Sequence, residues 1–212
     1  MEKNIELQNA WDFVEHTGIS IFLTGKAGTG KTTFLRAIKQ HSTKRMVVVA
    51  PTGVAAINAG GVTIHSFFQL PLSPFVPESM VKPRFEYSKQ KRKIMRTLDL
   101  LVIDEISMVR ADILDAIDSV LRRFREHDKP FGGVQLLMIG DLQQLTPVVK
   151  PEEEELLNRY YNTPYFFDSK ALQSIQYVTI ELTKVFRQQD ETFINILNHF
   201  RDGNVTDEDF KT

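Results

Sequence analysis

The chain has no cysteine among its 212 residues. That excludes disulfides, thiolate zinc sites and a cysteine nucleophile together, and it is compatible with a reducing compartment. No apolar run approaches the roughly 20 residues of a membrane span. Met1-Glu2-Lys3-Asn4 opens neither a signal peptide nor an Arg-rich transit sequence. A soluble, intracellular protein with no membrane partner is expected, cytoplasmic if bacterial and nuclear or mitochondrial if eukaryotic. Nor is there a surplus of one charge. The 26 basic and 27 acidic residues leave a net charge of −1, so any polyanionic partner must be held by a local patch. Internal repeats and low-complexity tracts are absent as well. With 42% hydrophobic and 25% charged residues the composition is that of a globular protein, long enough for one well-buried α/β domain and too short for two.

Five short β-rich apolar runs are present, at 19–23, 46–50, 98–103, 134–139 and 177–182. Each is nearly continuously apolar, as strands buried on both faces are. Helical segments lie between them near 7–15, 31–40, 54–59, 88–96 and 111–126. This alternation predicts an α/β fold, a parallel sheet with crossover helices. In 111–126, Ile113, Leu114, Ile117, Val120, Leu121 and Phe124 recur at spacings of three and four. Asp112, Asp115 and Asp118 fall early and Arg122, Arg123 and Arg125 late, which matches the helix dipole and allows an Asp118–Arg122 pair. These aspartates read as capping and solvation, not as a metal cluster. The basic stretch with Lys82, Arg84, Lys89, Lys91, Arg92, Lys93 and Arg96 reads as a solvated helix face in preference to a polyanion contact. Glu152 to Glu155 read as the first turn of a helix with Pro151 at its first position. A Pro-rich stretch at about 70–84, holding Pro71, Pro74, Pro77 and Pro83, has no clear periodicity and reads as a surface insertion.

Gly25 to Thr32 read G-K-A-G-T-G-K-T, directly after the first apolar run and before a helical stretch. That is the setting of a phosphate-binding loop (P-loop). Three glycines adopt backbone angles closed to other residues and turn successive N–H groups toward a triphosphate. Lys31 reaches the β and γ phosphates, the Thr32 hydroxyl ligates Mg²⁺, and the helix starting at the loop adds its positive dipole end. A nucleoside triphosphate and Mg²⁺ are the expected ligands. The candidate nucleotide set from the loop is Gly25, Lys26, Ala27, Gly28, Thr29, Gly30, Lys31, Thr32 and Thr33.

The apolar run 98–103 leads straight into Asp104-Glu105, two carboxylates at the carboxyl end of a buried strand. They read as a Walker B pair. Asp104 holds the metal through water, and Glu105 orients and deprotonates the attacking water. A carboxylate aimed at water predicts hydrolysis, where a kinase would bring a hydroxyl acceptor. A further apolar strand ends in Gly140-Asp141-Leu142-Gln143-Gln144, where the Gln144 amide can sense a γ phosphate. After the last strand, Arg187 can offer its guanidinium to the charge that develops in phosphoryl transfer. Taken alone, Gln144 and Arg187 read equally well as ordinary loop residues.

The blocks GKAGTGKTT, APTGVAAINAGGVTIHSFF, DEIS, PFGGVQ, GDLQQLTPV and LTKVFRQ stand in the order found in superfamily-one DNA helicases. Together they resemble the Pif-one branch, near RecD, over about residues 8–188. The resemblance implies a P-loop NTPase with a RecA-like parallel sheet flanked by helices. It implies that the nucleotide is ATP, that Gln8 contacts adenine, that Lys31 and Thr32 hold phosphates and metal, and that Asp104 and Glu105 form the hydrolytic centre. Gln144 would contact the γ phosphate and Arg187 would act as an arginine finger. It further implies 5′-to-3′ translocation on single-stranded DNA and unwinding at forks, in DNA repair, recombination and telomere maintenance. The candidate contacts to the strand are Thr52, Gly53, Thr63, His65, Ser66 and Phe68, a segment with backbone donors and aromatics on which bases can stack. The bland reading of the same segment is a structural histidine and at least one core phenylalanine.

Full members of that branch carry a second RecA-like domain, and nothing in this sequence corresponds to it. The chain is therefore expected to be the N-terminal motor domain of a longer helicase, a monomer that binds ATP but hydrolyses it slowly and unwinds nothing alone. Two other readings use the same loop: a nucleotide-dependent switch or assembly ATPase that does not translocate, and a nucleotide-binding platform that only recruits partners.

Overall fold

The predicted strands pair into one sheet. In the computed structural model, which describes residues 4–76 and 86–185, six strands run parallel: β1 (Ser20–Gly25), β2 (Met46–Ala50), β3 (Val62–Thr63), β4 (Leu100–Ile103), β5 (Gln135–Ile139) and β6 (Tyr177–Leu182). Their order across the sheet is β3-β2-β4-β5-β1-β6. The five apolar runs all appear as strands. The sixth, β3, is a two-residue edge element, too short to show a period in sequence.

Successive side chains of a strand point to opposite faces, and the apolar runs supply both. Ile21, Leu23, Val48, Leu100, Val102, Leu137 and Ile139 pack on one face against α1 (Ile5–His16), α2 (Lys31–His41) and α3 (Gly53–Ala59). Phe22, Val49, Leu101, Ile103, Leu136 and Met138 pack on the other against α4 (Ile64–Phe68), α5 (Lys89–Thr97), α6 (Ala111–Phe124) and α8 (Lys170–Gln173). Every residue of β4 is fully buried, and each such side chain contributes about 1.5–3 kcal/mol relative to exposure. Among the described residues no helix is long and apolar enough to cross a membrane.

Gln135 anchors the start of β5. Its amide nitrogen donates to the carbonyls of Phe13 (3.0 Å) and Ile19 (2.7 Å), and its oxygen accepts from Lys44 Nζ at 2.5 Å. The PFGG segment forms a tight 3-10 turn at Pro130–Gly133 before this strand, as a Gly turn entering a strand should. The acidic block begins α7 (Pro151–Asn158), with proline in the first turn as expected.

The aspartates of α6 depart from expectation. Asp118 pairs with Arg122 at 2.8 Å as predicted, but Asp112 and Asp115 are buried and cross-link distant segments instead of being solvated. Asp112 accepts from Phe75 N at 3.0 Å and from two nitrogens of Arg110 at 2.8 and 2.7 Å. Asp115 accepts from Tyr161 OH (2.7 Å), Lys170 N (3.1 Å), Ala171 N (2.9 Å) and the Ser169 hydroxyl. Burial is tolerable because every carboxylate oxygen is satisfied. The Phe75 bond also ties the described start of the Pro-rich insertion to α6, whereas 77–85 lie outside the described residues.

α5 forms where local electrostatics oppose it. No acid occupies its first turn, and Lys89 stands over Lys93 and Arg92 over Arg96 at four-residue spacing, each like-charge pair costing about 0.3 kcal/mol. Tertiary contacts hold it: buried Met95, the Ser88 cap on Lys91 N (3.2 Å), an edge-to-face Tyr87–Phe124 contact at 5.1 Å, and Arg125 Nη1 on the Arg96 carbonyl at 2.8 Å.

Candidate functional site

In a parallel sheet all strands deliver their carboxyl ends to one edge. Here β1 leads into the glycine loop, β2 into Thr52-Gly53, β3 into His65-Ser66, β4 into Asp104-Glu105, and β5 into Gly140–Gln144. Residues scattered over 120 positions therefore share one rim by topology alone. Gln8 joins them. It lies in the first turns of α1, whose Glu6 accepts from Thr183 Oγ1 (3.0 Å) just past the end of β6. The Gln8 amide is exposed and donates to Asp12 at 3.0 Å.

The loop has the backbone that the sequence predicts. Gly25, Gly28 and Gly30 have φ of 148°, 81° and 101°, values that L side chains rarely adopt. A Cβ on Gly25 would also sit 2.6 Å from the Leu182 carbonyl oxygen. Thr29 is buried and its hydroxyl donates to the Lys26 carbonyl at 2.8 Å, closing the loop from within, so its contribution to an anion is its backbone. Gly30 starts α2 without a side-chain cap and with no acid in the first turn, which leaves the dipole end to an anion. Lys31 Nζ donates to the carbonyls of Gly25 and, at 3.0 Å, Lys26, holding the ammonium at the mouth of the loop. Ala27, Thr32 and Thr33 are exposed.

Asp104 and Glu105 face this ammonium. Burial raises the Asp104 carboxyl above its ordinary range, opposed by the hydrogen bond from Glu105 N (3.0 Å) and by Lys31. Burial also raises Glu105, reinforced by Asp104 and Asp141 and opposed by Lys31. Glu105 sits in the left-handed region (φ 52°, ψ 44°), where a non-glycine residue costs about 1 kcal/mol. The chain bends there, between two adjacent carboxylates that both feel the Lys31 charge.

A residue that the motif reading missed organises the neighbouring loop. Asp141 is buried and accepts from Gln143 N (3.1 Å) and Gln144 Nε2 (3.2 Å), fixing where the Gln144 amide points. Its charge at the strand end was the available signal. Gly140 lets that strand end approach the turn after Glu105: a Cβ there would lie 2.8 Å from Ile106 Cγ2 and 3.1 Å from Ser107 N. Gly140→Ala is expected to push this turn, costing about 2 kcal/mol and lowering Tm by about 5 °C. A thermal melt within a degree of wild type would contradict the tight approach.

The strand-contact candidates divide. Gly53 begins α3, and Thr52 caps it, its hydroxyl accepting from Ala55 N at 3.2 Å. Thr63 caps α4 through Ser66 N at 3.3 Å. His65 is half-buried, its pKa lowered by desolvation and by Arg110. Phe68 does not belong to the set. The segment after Thr63 folds as helix α4, whose spacing turns Ile64, Phe67 and Phe68 inward, so Phe68 is fully buried and cannot stack on a base. Phe67 is buried as well, edge-on to Phe68 at 4.9 Å. Arg187 lies outside the described residues.

Known proteins resemble this chain in sequence and in fold. The chain is 42% identical over 198 residues to the human ATP-dependent DNA helicase PIF1, covering 90% of this chain and 28% of that protein. Its structure superimposes with a TM-score of 0.93 and 45% identity on Pif1 helicase from Bacteroides in complex with ADP-AlF3 and ssDNA, covering all of this chain and 49% of the other. A structure of two coordinating Pif1 helicases at forked dsDNA matches equally, at TM-score 0.93 and 45% identity, with 51% of that chain covered. The sheet is thus RecA-like, and the chain spans about a quarter of the length of the curated relatives it matches. The PIF1-like helicase family model matches residues 4–211, and this chain belongs to that family.

Proposed function

We propose that this chain is the first, ATP-hydrolysing motor domain of a DNA helicase that moves 5′ to 3′ along a single strand and opens forks. The observation that carries the reading is the Lys31–Asp104–Glu105–Asp141–Gln144 constellation at one sheet edge, with Thr52, Gly53, His65 and Ser66 on the same rim. In it Lys31 neutralises the terminal phosphates, Glu105 takes a proton from water, and Gln144, braced by Asp141, reads the γ phosphate. The residues fit a hard divalent cation. Asp104 is a half-buried carboxylate that accepts from Glu105 N, and Thr32 presents an exposed hydroxyl oxygen, so these two would hold Mg²⁺. When bound, the ion would screen phosphate charge. Gln8, at the start of α1, would meet adenine, and Arg187 would supply a further cation to the transferred phosphoryl group. A second RecA-like domain would close the nucleotide cleft and supply the stroke.

Single-stranded DNA in one similar structure and a fork in another support the substrate class. The family's work in genome maintenance makes DNA repair, recombination and telomere maintenance the proposed setting. The test is strand displacement by the intact protein containing this chain, on partial duplexes with either a 5′ or a 3′ tail. Displacement of the 5′-tailed substrate alone is expected. Equal action on both, or on neither, overturns the polarity or the motor reading, the second outcome leaving a switch ATPase.

A further inference from the structure

α5 presents Lys89, Arg92, Lys93 and Arg96 to solvent on the face of the sheet opposite α2. None of the four has a carboxylate within ion-pair distance among the described residues, where the pairs engage Arg45, Arg110, Arg122, Lys129 and Arg159. In a chain of net charge −1 such segregation is not a consequence of composition. Nor does it serve the helix, which sets these cations at mutually repulsive spacings and depends on Met95, the Ser88 cap and its contacts to α6 for its place. The charges are therefore free to serve a partner.

Two observations narrow the partner. Lys91 leaves this face and donates to the Ser66 carbonyl at 2.9 Å, with its ammonium 5.6 Å from the Phe67 ring centroid. The cationic face thus begins beside the proposed single-strand track. Among the described residues it also carries no exposed aromatic ring: Tyr87 is buried and packs edge-on against the half-buried Phe124. Single-strand sites pair cations with stacking platforms, whereas a duplex hides its bases and offers phosphates alone. Lys89 to Arg96 span about 10 Å along the helix, the axial reach of about three phosphates on one strand.

We propose that the exposed face of α5 is a sequence-independent docking site for the phosphate backbone of double-stranded DNA, next to the single-strand track. The proposal rests on the motor reading only in taking DNA as the polyanion. The test combines Lys89→Gln, Arg92→Gln, Lys93→Gln and Arg96→Gln in the 212-residue chain. Fluorescence anisotropy then follows a blunt duplex of about 20 base pairs and an oligo-dT of equal length across a salt series. Duplex affinity is expected to fall about tenfold at low salt and the slope of log K against log salt to flatten by about 2–3, one unit per lost phosphate contact. Affinity for oligo-dT stays within about twofold, and Tm is equal to or above that of the parent, since the repulsion within α5 is relieved. Unchanged duplex affinity and slope overturn the proposal. So does an equal loss on both ligands, which would make α5 part of the single-strand track, or displacement of duplex by polyglutamate at equal charge, which would assign the face to an acidic protein. Absence of single-strand-stimulated ATP hydrolysis sinks the motor reading without touching the duplex result.

Discussion

Glu105→Gln is expected to lower ATP turnover by about a thousandfold, within the range that a positioned general base supplies, and to leave nucleotide affinity within a few-fold. The split follows from where the side chain sits. Lys31 and the loop backbone are the proposed phosphate holders, and neither depends on the Glu105 carboxylate for position: Lys31 Nζ is held by the Gly25 and Lys26 carbonyls. Glu105 itself is placed by a left-handed backbone and by the hydrogen bond from its own N–H to Asp104, both of which glutamine preserves. What glutamine cannot do is accept a proton. The pH profile carries the same signature. Burial and the Asp104 charge raise the Glu105 carboxyl, so the active, deprotonated form is lost as pH falls through a value above the ordinary glutamate range. The acid limb of kcat is therefore displaced upward in the parent, and the part of it due to Glu105 is absent from the residual activity of the variant. Loss of nucleotide binding in step with turnover would contradict the assigned role.

The second large effect is on stability. Arg110→Met is expected to lower Tm by about 10 °C, from a cost of about 3–5 kcal/mol for stranding buried carboxylates and about 2–4 °C per kcal/mol in a domain of this size. Arg110 bridges Asp112, which is 1% exposed, and Glu153, which is 8% exposed, with nitrogen–oxygen distances of 2.7 Å to both. Removing the guanidinium leaves two acids in a site that water barely enters. One of them also holds Phe75 N at the start of the insertion. Arg110→Lys restores charge without the fork geometry and recovers only part of the loss. Adding Glu153→Gln to Arg110→Met removes one stranded charge and should return several degrees. A melting point within about 2 °C of the parent for Arg110→Met would show that the triad contributes nothing net.

These two cases show what was legible in the sequence and what was not. The loop, the carboxylate pair and the strands were readable because each depends on neighbours in sequence: glycine angles, a strand end, a run of apolar residues. α4 was missed because five residues are too few for a helical period, and that miss carried Phe68 into the wrong role. The same spacing that makes 64, 67 and 68 one helix face buries the ring. Asp112 and Asp115 were read from the dipole of their own helix. Their partners at 75, 110, 161 and 169–171 come from the fold. Asp141 was passed over beside Gln144 because bracing an amide across three residues leaves no motif of its own.

The central claim is that hydrolysis at this rim is coupled to a single DNA strand lying across it. The most direct measurement is the steady-state ATP turnover of the intact protein with and without oligo-dT, in the parent and in Glu105→Gln. The account predicts a turnover that rises steeply with oligo-dT in the parent and stays flat and near zero in the variant. A parent rate indifferent to the strand, or a stimulated rate that survives loss of the carboxylate, would contradict it.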